Sequence, residues 1–326
     1  MFQRVTARLT GLNLPNLCRL NLQFPDQSDN LNVEDVNEIA HVYRSWVAPS
    51  LREASLYDTV PRYIHGFQLK KLVIDIGLYG WIQTNDPLAT LMSCLASQPM
   101  LEDLTFAMLS FPLETEHPKD HCVNLPLLRS LCLKANYGLP DEDEDSDKDD
   151  FGISFAVPAI LARLITPVLE RLRVDFILTL ESQFESDVNM IFPSGRDYTT
   201  LRHLSLAIHA TNLVSQEIDF TLSPFSRIFE RMPNLEELCL EIPNIQVQGI
   251  DYGYGGPIPP LRSLKFFCCF ELDVKVLRSI LRVFRGSPNW GELKLKIESC
   301  PELQGCTDAL TDLLPPERIQ ITDSNY

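Results

Sequence analysis

The sequence predicts an α/β solenoid in which short parallel strands line one face and helices return along the other. Three observations predict it. A pattern of the form P-x-L-x-x-L-x-L recurs ten times along the 326 residues. Stretches between the copies carry apolar residues at steps of three and four, the spacing of one helix face. Proline stands two residues ahead of the first apolar position in eight of the ten copies, where it stops whatever helix precedes it.

The whole unit is legible in Ser223–Glu241, SPFSRIFERMPNLEELCLE. Phe225, Ile228, Phe229 and Met232 mark a helix face, and Pro233 ends it. Leu238 and Leu240 then alternate with Glu237, Cys239 and Glu241, as in a half-buried strand. A single unit of this kind cannot bury both its strand leucines and its helix face, so the units must stack.

The first apolar positions of the ten copies are Leu17, Leu51, Leu69, Leu101, Leu128, Leu169, Leu201, Leu235, Leu261 and Trp290. The positions three and five residues later are apolar in every copy. Only Phe67 and Thr199 break the proline rule. Successive copies lie 34, 18, 32, 27, 41, 32, 34, 26 and 29 residues apart. The 18 leaves no room for a full helix. The 41 contains the acidic run Asp141–Asp150, and residues 138–152 read as a disordered insertion in one solenoid spanning 1–326. Return helices are expected at Val33–Val47, Pro87–Ser97, Val157–Ile165, Pro224–Arg231, Val274–Phe284 and Thr307–Leu314, with a last strand at Ile319–Ile321. Around Leu178–Asp197 and Gln246–Pro257 the pattern lapses, and loops are expected.

The strand-plus-helix unit resembles the leucine-rich repeat in its long, irregular form. In tight repeats an Asn or Cys follows three residues after the last leucine. Here only Asn136 and Cys269 fill that place, and Glu298 stands there in the tenth copy. With that polar ladder largely missing, a parallel sheet of shallow curvature is expected on the concave side, with helices on the convex side. The segments APSLREASLYDTVPRYIHGFQLKKLVI and LASQPMLEDLTF are similar to repeat regions of fungal F-box proteins. That resemblance implies a protein-binding receptor of a ubiquitin ligase. Members of that family open with an F-box that docks the ligase adaptor, whereas Met1 here is followed at once by repeat sequence. An adaptor is therefore expected as partner only if an F-box lies upstream, and a stand-alone scaffold or inhibitor is the alternative.

Charge and cysteine usage narrow the class. Twenty-eight basic against 44 acidic residues give −16, which argues against nucleic acid, whose phosphates select basic surfaces. No apolar run reaches membrane-spanning length and no basic-then-apolar leader follows Met1, so neither membrane nor export is expected. Nine cysteines without a C-x-x-C pair fit reduced thiols in a cytoplasmic or nuclear protein.

Strand residues between the apolar positions should line the concave face, the surface solenoids use for partners. In the N-terminal half these are Arg19, Asn21, Lys71, Asp75 and Asp103. The candidate partner-binding set lies further on: Arg171, Arg173, His203, Glu237 and Glu241, with Lys265, Phe267, Lys294 and Lys296. Phe267 stands out, because an exposed aromatic on a strand is a common anchor.

Nothing comparable supports catalysis, and no enzyme, cofactor or metal is expected. His117 and His121 flank Pro118, which disfavours the helix their spacing would need to share a metal. The glycines of DYGYGGP at Asp251–Pro257 cannot open a phosphate-binding helix, because Pro257, Pro259 and Pro260 follow.

Overall fold

A tight turn, usually carrying proline, precedes most strands. In the computed structural model of the chain, Leu17, Leu51, Leu101, Leu128, Leu201 and Leu235 each donate their N–H to the carbonyl three residues back, at 3.1–3.2 Å. The proline, or Thr199 in one copy, is the second residue of that β-turn, a place its fixed φ suits. The structure describes residues 10–23, 46–57, 68–76, 87–108, 122–135, 157, 160–178, 191–192, 197–210, 223–241, 256–270 and 272–322. The acidic run and residues 33–45 lie outside them, as do His117, His121 and 251–255.

Two compact units divide the chain, Met1–Val168 and Leu169–Tyr326. The first holds a parallel sheet of β1 (Arg19–Gln23), β2 (Glu53–Tyr57), β3 (Lys71–Ile76), β4 (Asp103–Met108) and β6 (Ser130–Ala135). A short parallel pair, β5 (Val123–Asn124) and β7 (Leu164–Ile165), accompanies it, with helix α1 (Pro87–Ala96). The second unit holds a parallel sheet of β8 (Arg171–Leu178), β9 (His203–Ala210), β10 (Glu237–Glu241), β11 (Ser263–Phe267), β12 (Lys294–Glu298) and β13 (Ile319–Thr322). Its helices are α2 (Ser223–Arg231), α3 (Val274–Phe284) and α4 (Thr307–Leu310).

Register follows the repeat. Leu20, Ala54, Leu72, Leu104 and Leu131 stand side by side in the first sheet, and Leu172, Leu204, Leu238, Leu264 and Leu295 in the second. A recurring hydrogen-bond fork locks this alignment. The two N–H groups at the start of a strand converge on one carbonyl of the repeat before: Arg202 and His203 on Glu170, Glu236 and Glu237 on Arg202, Arg262 and Ser263 on Glu236. The same fork joins Lys70 and Lys71 to Arg52, and Glu102 and Asp103 to Lys70. Of the thirty aligned apolar positions all are buried except Leu17, Leu20, Leu22 and Trp290. The first three belong to the edge repeat, whose strand β1 has a partner on one side only among the described residues.

Helices close the other face of each apolar layer. In α2, Phe225, Ile228 and Phe229 are buried, and the Phe229 ring lies 5.8 Å from that of Phe284 on α3, so consecutive helices pack on each other. Asp273 caps α3 by accepting the Val276 N–H at 2.7 Å, and Leu277, Ile280, Leu281 and Phe284 form its buried stripe.

The tenth repeat departs from the sequence alignment. Its proline turn closes on Trp290 as expected, with the Trp290 N–H on Ser287 O at 3.1 Å. A 3-10 turn, Trp290–Glu292, then intervenes, and the fork is lost because the Leu293 N–H turns back to Trp290 O. Leu295 and Ile297, rather than Leu293 and Leu295, stand opposite Leu264 and Phe266. Trp290 is only half-buried. Other corrections are local. Leu164 and Ile165 form β7 where a helix was expected, because Ile165 O is taken by the Leu125 N–H at 2.9 Å. The helix expected to run to Leu314 stops at Leu310, and Val47 bridges Asn13 as extended chain. Strand β8 runs to Leu178, further than the pattern indicates.

Repeat three, whose proline is replaced by Phe67, shows what the turn does. Its Leu69 N–H is instead received by the side chain of Gln98, which is 0% exposed, at 3.2 Å from Oε1. Gln98→Met keeps the volume and leaves that buried N–H without its acceptor; a loss of about 1–3 kcal/mol is expected in urea denaturation. Unchanged stability would contradict the assignment. Leu238 is 1% exposed, so Leu238→Asp places a charge inside the apolar layer. Loss of the cooperative melting transition is expected by circular dichroism, and a parent-like melting curve would contradict the stacking.

Candidate functional site

Because the apolar positions alternate along each strand, the residues between them stand in rows on the opposite face. In the second unit the first row is Arg171, His203, Glu237, Ser263 and Lys294. The second is Arg173, Ser205, Cys239, Lys265, Lys296 and Gln320. The third is Asp175, Ala207, Glu241, Phe267, Glu298 and Thr322. All nine residues singled out from the sequence fall in these rows, on one sheet face. In the first unit, Arg19 pairs with Glu53 at 2.9 Å and Lys71 with Asp103 at 3.9 Å on the corresponding face, where Asn21 and Asp75 also stand.

On β8–β10 most of the charges satisfy one another. Arg173 holds Asp175 with Nε at 3.1 Å and Glu241 with Nη2 at 2.9 Å. Glu241 lies two strands away, and the strand between contributes only the short Ser205 and Ala207 at these positions. The arginine therefore bridges across β9. His203 Nδ1 lies 2.9 Å from Glu237 Oε2. Cys239 sits among these groups, and burial pushes its thiol up, so the face offers no activated thiolate there.

On β11–β13 the balance differs. Lys265 Nζ lies 2.6 Å from Glu298 Oε2 and 5.2 Å from the centre of the Phe267 ring. Phe267 is thus half-buried beneath an ammonium rather than an open aromatic. Lys294 and Lys296 have no carboxylate within ion-pair distance among the described residues, and neither has Arg171.

Sequence reasoning passed over Asp175 and Glu298, the acids that hold Arg173 and Lys265. Both stand in the third row, the one that also holds Glu241 and Phe267, one residue past the last buried apolar position of their strands. The two-residue offset of the tenth repeat also placed Glu298 at the ladder position, which Cys300 in fact occupies. Cys268 and Ser299 are equivalent residues just past β11 and β12, and both adopt a left-handed backbone, φ 53° and 56°. That strain turns the chain so that Cys269 and Cys300 face inward. The Cys269 N–H donates to Cys300 Sγ at 3.3 Å, and hydrogen bonding with the Cys269 side chain, helped by that N–H, holds the Cys300 thiol below its ordinary value. All nine cysteines are free, and burial pushes Cys94 up to about 12.

Among the described residues no cluster of His, Cys, Asp and Glu side chains could hold a metal ion, and no helix is long and apolar enough to cross a membrane.

The paired and unpaired halves of the face are expected to differ in their contribution to stability. Arg173→Met removes the bridge to two largely buried carboxylates, 10% and 15% exposed, and is expected to cost about 1–3 kcal/mol in chemical denaturation. Lys294→Met is expected to stay within roughly 0.5 kcal/mol of the parent. Equal effects would contradict the division.

No family model matches the chain, and no curated protein matches it. Among solved structures it is similar to a chain in the crystal structure of the Rad7 and Elc1 complex in yeast. The two are 15% identical with a TM-score of 0.36, and the match covers 94% of this chain and 74% of that one.

Proposed function

We propose that the chain is a non-enzymatic protein-interaction scaffold, serving as the substrate-recognition region of an F-box-type ubiquitin-ligase receptor. The observation that carries the reading is the three-row face of the second unit. Its charged and aromatic groups are fixed by strand register and lie across six adjacent strands, a broad surface suited to another protein. The face presents rather than transforms. Its arginine, histidine and acids are mostly engaged with one another, which preorganises them for contact. The link to a ligase comes from the likeness of the repeats to those of fungal F-box proteins. In that role the rigid face would hold a substrate while a separate segment recruits the adaptor.

Affinity capture of the full-length protein from its own cells tests both parts. A specific protein partner and a cullin adaptor are expected to co-purify. Phe267→Asp should lower recovery of the partner about tenfold, a change of about 1.4 kcal/mol, and leave the adaptor bound. A partner recovered equally by this variant would contradict the placement of the binding face. Absence of the adaptor would remove the ligase role and leave a stand-alone scaffold.

A further inference from the structure

The two halves of the second-unit face carry different charge, and the difference specifies a partner. On β8–β10 the three rows contain two arginines against Asp175, Glu237 and Glu241; Arg173, Asp175 and Glu241 are in ion pairs, and Glu237 faces His203 Nδ1. On β11–β13 the same rows contain Lys265, Lys294 and Lys296 against Glu298 alone, a local excess of two positive charges on a chain of net −16. Lys265 and Lys296 stand directly opposite one another across adjacent strands, an arrangement that destabilises a sheet. Glu298 relieves Lys265 but not Lys296. The strip is therefore held in an uncompensated state that negative groups from outside would relieve.

We infer that the β11–β13 strip of this face, centred on Lys294 and Lys296, docks an extended acidic segment of a partner protein. This rests on the scaffold reading above and gives its partner a chemistry. Lys294 and Lys296 are two residues apart on one strand, so they rise from the same face about 6.5–7 Å apart. Carboxylates at alternate positions of an extended chain have the same repeat, so such a segment laid along β12 meets both lysines in register. Phe267, one strand over in the third row, offers apolar contact to a side chain of that segment. Like charges across the rest of the molecule repel an acidic partner elsewhere, which sharpens the choice of strip.

The test uses a fluorescein-labelled peptide of about twelve residues, alternating glutamate and serine around one leucine, and its lysine counterpart, in anisotropy titrations with the full chain. Saturable binding of the acidic peptide alone is expected. It should weaken at least tenfold in Lys294→Glu/Lys296→Glu and by a similar factor between 50 and 300 mM salt. It should be unchanged in Lys275→Glu, which alters an exposed charge on α3. Lys296→Met, which removes charge without adding any, should show an intermediate loss, and melting curves confirm that each variant folds. No saturable binding, equal binding of the lysine peptide, or full binding by the double variant overturns the inference. So does a single-stranded oligonucleotide that binds as well as the acidic peptide and is lost in the same variants. A captured natural partner separates this inference from the scaffold reading. If Arg171→Glu releases that partner and Lys294→Glu/Lys296→Glu does not, the face still binds protein and the acidic-segment assignment falls.

Discussion

The structure depends on the fork of two strand-start N–H groups onto one carbonyl of the preceding repeat. Each fork fixes a strand against its neighbour with no freedom to slip. A slip of one residue would turn the apolar row outward and the charged row into the core. In most repeats the proline turn brings the chain to the place and angle that the fork needs. Where proline is missing, at Phe67, the buried Gln98 side chain serves the stranded N–H instead.

That constraint also makes the opposite face. Once register is fixed, Arg173 must lie beside Asp175 and within reach of Glu241, and Lys296 must lie beside Lys265. The side chains were placed by backbone pairing, and their mutual energetics followed. On one half they neutralise each other, and on the other half they do not. Function on this account is a remainder: the charges the sheet cannot satisfy from within are those a partner can satisfy.

Much of this was legible in the sequence. The apolar positions at fixed steps predicted ten strands, their order and their buried sides, because a period of two on a pleated chain leaves little choice. Helices α2 and α3 were legible from Phe225–Met232 and from Leu277–Phe284 for the same reason at a period of 3.6. The candidate residues lie together on one sheet face, since alternation alone decides which side a strand residue takes. Their pairing was hidden. The contact between Arg173 and Glu241 joins residues separated by a whole repeat and depends on Ala207 being small. The tenth repeat was misaligned because Trp290 and Leu293 satisfy the apolar pattern, while the extra 3-10 turn between them has no apolar signature. The left-handed residues Cys268 and Ser299 are likewise unmarked, as neither is glycine.

The most direct measurement is amide hydrogen exchange of the full chain, free and saturated with its captured partner. The account predicts added protection confined to the segments carrying 263–267 and 294–298, with α2 and α3 unchanged. Added protection on those helices, with the strand segments unaltered, would contradict it.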